Sequence, residues 1–311
     1  MQIKPADGRD ADVLALERLL DRPDVPAGTR KWIEQEIAQI RAGEKAERDA
    51  AYDIELYFGR SENWATIHDL RIEVDGLAAQ IDHLIINRLA EIWVCESKAF
   101  AEGVSVNEHG EWSRWWNGRQ TGIPSPIEQN HRHIHLLERV FDDGLVRAPK
   151  RLGLVPMKPT LRSLVLVSNN ARIGRPKRKI NGIDEVIKAE QLKTRLFDEF
   201  DRSPEWKLAT VIGKEGLAAF ARDLAALHRP IQFDWAAKLG LPATPSPAPA
   251  APPTAGPSPP PRPDRTRKPW FVKFEGPCSR CGRTLMKGTE AVWSSPQRRM
   301  FCLDCAPAMN D

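Results

Sequence analysis

Apolar residues recur three or four positions apart over the first part of the chain. Leucines carry this pattern between residues 10 and 22, and isoleucine, alanine and aromatic positions carry it between residues 26 and 58. Such spacing places the apolar residues on one face of an α-helix. The pattern therefore predicts a helical start followed by one long helix.

Three apolar runs rich in β-branched residues follow the long helix. They occupy residues 64 to 74, 79 to 88 and 91 to 98. Asp75-Gly76 and Asn87-Arg88 lie between them, and such residue pairs are typical of tight turns. The three runs therefore predict a meander of three strands.

Helix and strand patterns alternate after the meander. Residues 99 to 126 are predicted to form an irregular loop, and Pro126 stands at the favoured first position of a helix over residues 127 to 141. The further predicted elements are a strand at residues 161 to 169 and helices at residues 184 to 200 and 215 to 228. The predicted fold class is α/β, with a mixed sheet flanked by helices.

Composition changes abruptly after these elements. Residues 242 to 263 contain eleven prolines in 22 residues. Such a segment cannot bury a core, so we expect an extended spacer reaching up to roughly 70 Å at about 3.1 Å per residue. We therefore predict a helical N-terminal section at residues 1 to 40, a main domain at residues 41 to 235 and a small terminal module at residues 270 to 311.

The net charge of +4 is unevenly distributed. From Arg262 onward ten Lys or Arg stand against five Asp or Glu, so this tail is basic and the rest of the chain is close to neutral. A basic tail favours a polyanionic partner. No run of eighteen apolar residues occurs, and acids occupy the first twenty residues, where a signal peptide needs a basic start and an apolar centre. We expect a soluble, cytoplasmic protein without a membrane partner.

Four of the five cysteines lie in two pairs near the end of the chain. Cys278 and Cys281 form one Cys-x2-Cys pair, and Cys302 and Cys305 form the other after twenty residues. Two such pairs are typical of one tetrahedral zinc site, to which each pair supplies two thiolates. A module of about forty residues is too small to be held by core burial alone, so a structural Zn²⁺ would supply its folding free energy. We expect a zinc ribbon.

Charged residues interrupt the strand pattern. Asp82 lies within "QIDHLIIN", and Glu96 and Lys98 lie within "WVCESKAF", two residues apart and so on the same side of a strand. A hairpin would place Asp82 across from the end of the second strand. Burying such charges is unfavourable unless they are paired or bind a metal. Two interpretations stay open: a site for a hard cation such as Mg²⁺ and an attacking water, or an ion pair on an exposed edge strand.

The order of these residues resembles the PD-(D/E)XK nuclease superfamily. Within it, Gln80-Ile81-Asp82-His83, then Glu96-Ser97-Lys98, then Pro126 with Gln129 resemble the nuclease-related domain, known as NERD, over roughly residues 40 to 200. The resemblance implies a restriction-endonuclease-like core and a metal-dependent phosphodiesterase. It implies Asp82 and Glu96 as ligands of Mg²⁺ or Mn²⁺, the carbonyl of Ser97 as a further ligand, and Lys98 as the residue that orients or deprotonates water.

The sequence offers two candidates for the helix acid of this family. The family's Gly-x-x-Gly-Glu start has its nearest match in "AGEKAER", where Glu47 follows Gly43 and Ala46 stands in place of the second glycine. Glu47 is the predicted helix acid, and Glu55 on the same helix is its competitor. Gln129, in the first turn of the next helix, is predicted to contact a phosphate or a metal-bound water, with helix capping as the alternative.

Histidines near these motifs are predicted to serve the fold. His83 is predicted to be a core or sheet-surface residue. His131, His133 and His135 alternate at a spacing of two, which spreads them around a helix, so they do not predict a zinc site.

The predicted activity is hydrolysis of phosphodiester bonds in nucleic acid, and DNA is favoured because the resembled superfamily mostly cuts DNA. Residues 1 to 40 and the ribbon are candidate sites for a protein partner. The alternative from another class is a non-catalytic adaptor that keeps the fold and binds nucleic acid or protein.

Two groups of basic and aromatic residues have open interpretations. Tryptophans in the predicted loop either stack on bases or pack over the sheet; they are Trp112, Trp115 and Trp116, with Arg114 and Arg119 near them. The ribbon either binds nucleic acid or serves docking or structure alone. Its candidate contacts are Arg280, Arg283, Lys287, Arg298, Arg299, Trp293 and Phe301.

Overall fold

The computed structural model of the protein describes residues 1–151, 154–204, 211–231, 233–242, 270–273, 275–294 and 299–305. The chain divides into two compact units, residues 1–243 and residues 244–311. The proline-rich segment predicted at residues 242–263 lies, apart from Pro242, outside the described residues.

The helices of the first unit are α1 (Asp10–Leu20), α2 (Ala27–Phe58), α3 (Pro126–Asp142), α4 (Leu192–Asp201), α5 (Lys214–Ala225) and α6 (Trp235–Lys238). Helix α2 has 32 residues, which corresponds to about 48 Å. It continues through residue 40, where the sequence predicted the boundary between the N-terminal section and the main domain. Among the described residues, no helix is long and apolar enough to cross a membrane.

The strands of the first unit are β1 (Gln2–Lys4), β2 (Trp64–Val74), β3 (Leu77–Asn87), β4 (Glu91–Lys98), β5 (Gly103–Val106), β6 (Trp112–Trp116), β7 (Arg119–Ile123), β8 (Lys150–Arg151), β9 (Val155–Pro156), β10 (Thr160–Val167), β11 (Arg172–Gly174) and β12 (Val186–Lys188). The main sheet has the strand order β1-β2-β3-β4-β10-β12. Strands β2, β3 and β4 are antiparallel neighbours, whereas the pairs β1–β2, β4–β10 and β10–β12 are parallel. The predicted fold class, a mixed sheet flanked by helices, is confirmed.

A two-residue turn fixes the register of the meander. Asp75 and Gly76 have φ values of 49° and 76°, and positive φ at both positions suits a tight hairpin. The turn pairs Val74 with Leu77, and the same register continues to Trp64 opposite Asn87.

Apolar clusters cover both faces of the main sheet. Helices α2 and α4 cover one face, where Phe58, Trp93 and Leu196 are at most 1% exposed. Helices α3 and α5 cover the other face through residues such as Leu137 and Leu224. Strand β4 lies between these layers and is buried from Glu91 to Ser97. A charged side chain on β4 is therefore largely removed from water.

Helix α3 is capped and anchored at its start. The hydroxyl of Ser125 accepts the N–H of Glu128, and Pro126 occupies the first helical position. One turn later the buried side-chain amide of Asn130 donates to two strands. Its Nδ2 lies 2.7 Å from the carbonyl oxygen of Val94, 2.9 Å from the Ser163 hydroxyl and 3.2 Å from the carbonyl oxygen of Leu164. These bonds fix α3 relative to β4 and β10.

The prediction of an irregular loop at residues 99–126 is wrong. Strands β5, β6 and β7 pair antiparallel in this segment, and β11 adds beside β5; we call this four-stranded element the small sheet. Its inner face buries Trp112 with Val104 and Val106. The remaining positions of these strands are occupied largely by serine, glycine, arginine and exposed tryptophan. The strands therefore lack the regular apolar alternation by which a strand is predicted from sequence.

The helix predicted for residues 184–200 is correct only from Leu192 onward. Val186 and Ile187 instead form strand β12, which pairs with β10, and short 3-10 turns lie on either side. Both residues are β-branched and buried against the sheet, which favours the strand.

The second unit is a small β module. Its described strands are β13 (Trp270–Phe271), β14 (Gly276–Pro277), β15 (Thr284–Leu285), β16 (Glu290–Ser294) and β17 (Arg299–Phe301). Its apolar cluster includes Val272, Leu285 and Phe301 beside two of the cysteines. Phe301 is therefore a core residue, which corrects the prediction that it could stack on bases. Arg298 lies outside the described residues.

Replacing Asn130 with alanine should destabilise the first unit by about 1–3 kcal/mol, because buried carbonyl groups of two strands lose a donor. The measurement is the free energy of unfolding in urea. Glu138→Ala on the same helix, at a half-exposed side chain, is the control and should change stability by no more than about 0.5 kcal/mol. Equal effects of both substitutions would contradict the anchoring role.

Candidate active site and metal centres

Main-chain pairing between β3 and β4 ends at the predicted acids. The pairs run from Ile86–Ile92 to His83–Cys95, and the next position in this register joins Asp82 with Glu96. At that position the side-chain carboxylate of Asp82, rather than a main-chain carbonyl of β3, accepts the hydrogen bond from β4. Oδ2 of Asp82 accepts the N–H of Ser97 at 2.8 Å and its hydroxyl at 2.9 Å. Asp82 thus hydrogen-bonds to Ser97, the residue between Glu96 and Lys98, and the charge of Lys98 counteracts the rise of the Asp82 pKa.

Glu96 and Lys98 form an ion pair on one side of β4. Nζ of Lys98 lies 2.6 Å from Oε1 of Glu96. Glu96 is only 1% exposed, whereas 32% of the Lys98 side chain reaches solvent. Strand β4 lies between β3 and β10. The alternative interpretation of an ion pair on an exposed edge strand is therefore wrong.

Helix α3 brings two polar side chains to Glu96. A hydrogen bond from the side chain of Gln129 lowers the pKa of Glu96, and Nδ1 of His133 lies 3.6 Å from Oε2 of Glu96. Within the described part of the chain, neither that nitrogen nor that oxygen has a hydrogen-bond partner. Burial lowers the pKa of His133 to about 4, aided by the charges of Arg132 and Lys98. The imidazole is therefore neutral at pH 7.

The two candidate acids of α2 have different surroundings. Burial, followed by the charges of Asp82 and Asp69, raises the pKa of Glu47 to about 8. Burial also raises the pKa of Glu55, but hydrogen bonds with His68 and Thr66 outweigh it and bring that pKa below its ordinary value. Glu55 thus has its own partners, whereas Glu47 lies in the field of the strand acids.

A buried chain of polar side chains continues from Glu55 into the sheet. Its Oε1 lies 2.8 Å from Nε2 of His68, and Nδ1 of His68 lies 2.8 Å from Nδ1 of His83. His83 is 1% exposed, and burial holds its pKa well below the ordinary value. The contact ties α2 to both strands of the hairpin, and His83 is a core residue as predicted.

Asp69 is an acid of this region that the sequence analysis missed. It lies in β2 between the pairs His68–His83 and Leu70–Ile81, which places it opposite Asp82. Its φ of 50° is rare for a residue other than glycine. Ile67 before it and Leu70 after it face the same apolar cluster, so the alternation of the strand shifts by one residue here.

The charge of Asp69 raises the pKa of both Asp82 and Glu47, while its Oδ1 accepts a hydrogen bond from Gln80 at 2.8 Å. A signal for Asp69 was present in the sequence. It stands as far before the Asp75-Gly76 turn as Asp82 stands after it, so a tight hairpin register pairs them.

The pKa values of the acids show that their negative charges repel one another, and a bound cation would relieve this repulsion. Burial, then the charge of Asp82, raises the pKa of Glu96 to about 7 although Lys98 opposes the shift. Burial also raises the pKa of Asp82, despite hydrogen bonds from Ser97. For Lys98, burial lowers the pKa but Glu96 and Asp82 outweigh it and raise the pKa. More negative charge is gathered here than one ammonium neutralises.

Carboxylate oxygens suit a hard divalent cation, and the unpartnered Oε2 of Glu96 offers one. Asp82 and Glu96 could hold such an ion, with Glu47 beside them. The acids are spaced more widely than the cysteines: of the described residues, only the cysteine group brings three or more potential ligand atoms within 4.8 Å of one another.

A family model described as the nuclease-related domain, NERD, matches residues 42–168. These residues are a nuclease-related domain. No curated protein and no solved structure matches the chain. The NERD match runs from the second half of α2 to the end of β10. It includes Glu47, Asp82, Glu96, Lys98 and Gln129.

The four terminal cysteines lie outside the NERD match and form a compact group in the second unit. Their sulfur atoms all lie within 4.8 Å of one another, and Sγ of Cys281 is 3.8 Å from Sγ of Cys302. The N–H of Cys302 donates to Sγ of Cys278 at 3.4 Å. Main-chain hydrogen bonds from Cys281, Cys302 and Arg280 lower the pKa of Cys278 to about 6, which favours the thiolate that binds metals. Four sulfurs so arranged could hold a structural metal such as zinc.

Without added divalent ions, the stability of the first unit should fall as the pH rises from about 6.5 to 8. Below this window the lowered pKa values of His83 and His133 have the opposite effect. The raised pKa values of Glu47 and Glu96 mean that the folded state binds more protons than the unfolded state in this window. Glu47→Gln removes one titrating group and should make the loss shallower. The measurement is the free energy of unfolding against pH.

Glu55→Gln is the matched control on the same helix. The lowered pKa of Glu55 gives it the opposite sign, because its contribution to stability is lost as the pH falls through that pKa. Its replacement should therefore leave the loss between about pH 6.5 and 8 in place. An unchanged slope in Glu47→Gln would contradict the electrostatics described here.

Proposed function

We propose that the protein is a metal-dependent nuclease that hydrolyses phosphodiester bonds, with DNA as substrate and Mg²⁺ or Mn²⁺ as cofactor. One observation carries the proposal. Within a NERD, Asp82 and the buried Glu96–Lys98 pair meet where the β3–β4 ladder ends. DNA is preferred because the PD-(D/E)XK nucleases, which this domain resembles, mostly act on DNA.

The carboxylates of Asp82 and Glu96 would hold the divalent ion, with Glu47 as the helix acid and the carbonyl of Ser97 as a further ligand. A bound ion would lower the pKa of water and neutralise charge on the phosphate. The raised pKa values of the acids support this assignment, because a cation would relieve their repulsion. The preference for Glu47 over Glu55 rests on the hydrogen bonds that already occupy Glu55.

Lys98 has the geometry of a cationic positioning group. Its ammonium is held by Glu96 while a third of the side chain faces solvent, so it can donate to an approaching phosphate or water. Gln129 hydrogen-bonds to Glu96 through its side chain and offers amide N–H groups in the same region. These donors would orient the attacked phosphate and stabilise the charge that develops on it.

The second unit would be a zinc ribbon that helps to hold nucleic acid. The described cations Arg280 and Lys287 support this role, as does the 43% exposure of Trp293. A basic module on a tether would raise the local concentration of substrate without setting sequence specificity. A protein partner, at residues 1–40 or at the ribbon, stays a second proposal for these segments.

Asp82→Ala and Lys98→Ala should each lower cleavage by at least about 100-fold, because each removes charge stabilisation at the reacting phosphate. The measurement is the rate of cleavage of plasmid, linear and single-stranded DNA with Mg²⁺ or Mn²⁺. Glu73→Gln is the control, since Glu73 lies on β2, is half-exposed and pairs with Arg71. It should cleave like the wild type.

Cleavage that survives both substitutions would contradict the assigned site. The absence of cleavage of DNA and RNA alike by the wild type would favour a non-catalytic adaptor that keeps the fold. The ion pair of Lys98 with Glu96 would then be a structural contact.

The purified chain should contain about one zinc ion per molecule, because two Cys-x2-Cys pairs make one tetrahedral site. Cys278→Ser should lower this content, whereas Cys95→Ser should not, because Cys95 is buried in the sheet of the first unit. Elemental analysis gives the stoichiometry. No bound zinc in the wild type, or equal loss in both variants, would contradict the zinc ribbon.

A further inference from the structure

The small sheet is inserted between two residues of the candidate site. Its first strand begins five residues after Lys98, and its third strand ends at Ile123, shortly before the helix that carries Gln129. Strand β11 follows the end of β10, the parallel neighbour of β4. The connections therefore place the small sheet at the carboxyl ends of β4 and β10, where Lys98 is located.

The outer face of the small sheet carries one exposed tryptophan, Trp115. Register places Arg172, Gly103, Trp115 and Gln120 side by side across β11, β5, β6 and β7. Gly103 has no side chain, so none stands between Trp115 and Arg172 in this row, and the main chain of Arg172 fills the place that a Cβ would take. We call this row the platform. Trp115 is 41% exposed.

The neighbouring row on this face contains only small residues. They are Gly174, Ser105, Ser113 and Gly122. An open concavity of about 500 Å³ begins at Ser113 and Gly122 and extends to Pro124 and Ser125, at the start of α3. The row of small residues and this concavity together lie between the platform and helix α3, which carries Gln129.

Cations around the platform have no partner in the described part of the chain. They are Arg172 in the platform itself, Lys177 and Arg178 after it along the chain, and Arg114 and Arg119, which the register places on the opposite face of β6 and β7; all are exposed. The acids nearby are already occupied. Glu102 accepts the N–H groups of Asn117 and Gly118 in the β6–β7 turn, and Glu108 accepts the main-chain N–H groups of Lys177 and Arg178. The surface therefore presents unpaired positive charge.

An exposed indole beside unpaired cations complements unpaired bases joined by phosphates. Bases in a duplex are stacked on each other and cannot present their faces to Trp115, whereas bases of a single strand can. Trp116, 56% exposed, follows Trp115 in the same strand and so lies on the opposite face, outside the platform. A polyanion without bases would use the cations alone.

We infer that the platform binds single-stranded nucleic acid and guides it to the candidate active site. A base stacks on Trp115, while Arg172 and the neighbouring cations contact the phosphates. The inference rests on the proposed function in taking nucleic acid as the substrate. It adds that the substrate is unpaired where it meets the small sheet.

The test is binding of the full chain to a fluorescein-labelled single-stranded 20-mer and to the matching duplex, in buffer without Mg²⁺, Mn²⁺ or chelator, which prevents cleavage and leaves the zinc of the ribbon in place. Trp115→Ala should weaken single-strand binding by roughly 5- to 150-fold, the range for loss of one stacked base. Trp115→Phe should retain most of the affinity because it keeps an aromatic face. Duplex binding should change little in either variant.

Arg172→Gln tests the phosphate contact independently of the tryptophan. The slope of log Kd against log salt concentration for the single strand should fall by about 0.7, the contribution of one phosphate contact. The controls are Tyr52→Ala, an exposed aromatic residue on α2, and Arg41→Gln, an exposed cation that pairs with Glu17. Neither should alter affinity or slope.

Unchanged single-strand binding in Trp115→Ala and Arg172→Gln would overturn the inference. Equal weakening of duplex binding would also overturn it, as would a Trp115→Phe variant as weak as Trp115→Ala. Cleavage in Mg²⁺ separates this outcome from failure of the proposed function. If cleavage depends on Lys98 but substitutions in the platform do not change binding, the inference fails and the proposed nuclease activity holds. If the platform substitutions weaken single-strand binding but the protein cleaves no substrate, the proposed nuclease activity fails and the inference holds.

Discussion

A carboxylate buried inside an apolar sheet is the constraint on which the candidate site depends. Glu96 lies on an interior strand at 1% exposure, where an unpaired charge would cost several kcal/mol. The chain meets this cost with nearby donors, the ammonium of Lys98 at 2.6 Å and the side-chain amide of Gln129. Both donors need fixed positions, so the anchoring of α3 by Asn130 and the alternation of β4 serve the same carboxylate.

Helix α2 links this site to the core. Its inward face supplies Ile54 and Phe58 to the apolar layer and, one and two turns earlier, Ala50 and Glu47. Glu47 therefore approaches the strand acids because the rest of the helix packs on the sheet. Glu55, on the same helix, hydrogen-bonds to His68 of β2. This bond attaches α2 to the β2–β3 hairpin in addition to the apolar contacts.

Much of the framework could be predicted because it follows from short-range rules. Spacing of three and four predicted α2, alternation predicted that Glu96 and Lys98 share a side, and two Cys-x2-Cys pairs predicted the compact sulfur group. The small sheet was missed because a strand rich in Ser, Gly and Arg leaves no apolar period. The shift at Asp69 was missed because a left-handed residue inside a strand has no signature in the hydrophobic pattern. His133 was set aside because only the packing of α3 brings its imidazole to Glu96.

The length of the Asp75-Gly76 turn has a consequence for how this protein tolerates insertions and deletions. Asp69 and Asp82 face one another because equal numbers of residues separate them from that turn. Adding or removing a single residue there would slide one strand past the other and turn the acids to opposite faces. The same constraint holds at the β6–β7 turn, whose register places Trp115 opposite Gln120. A change of length at the tip of the β2–β3 hairpin would therefore rearrange the acids of the candidate site without replacing any of them.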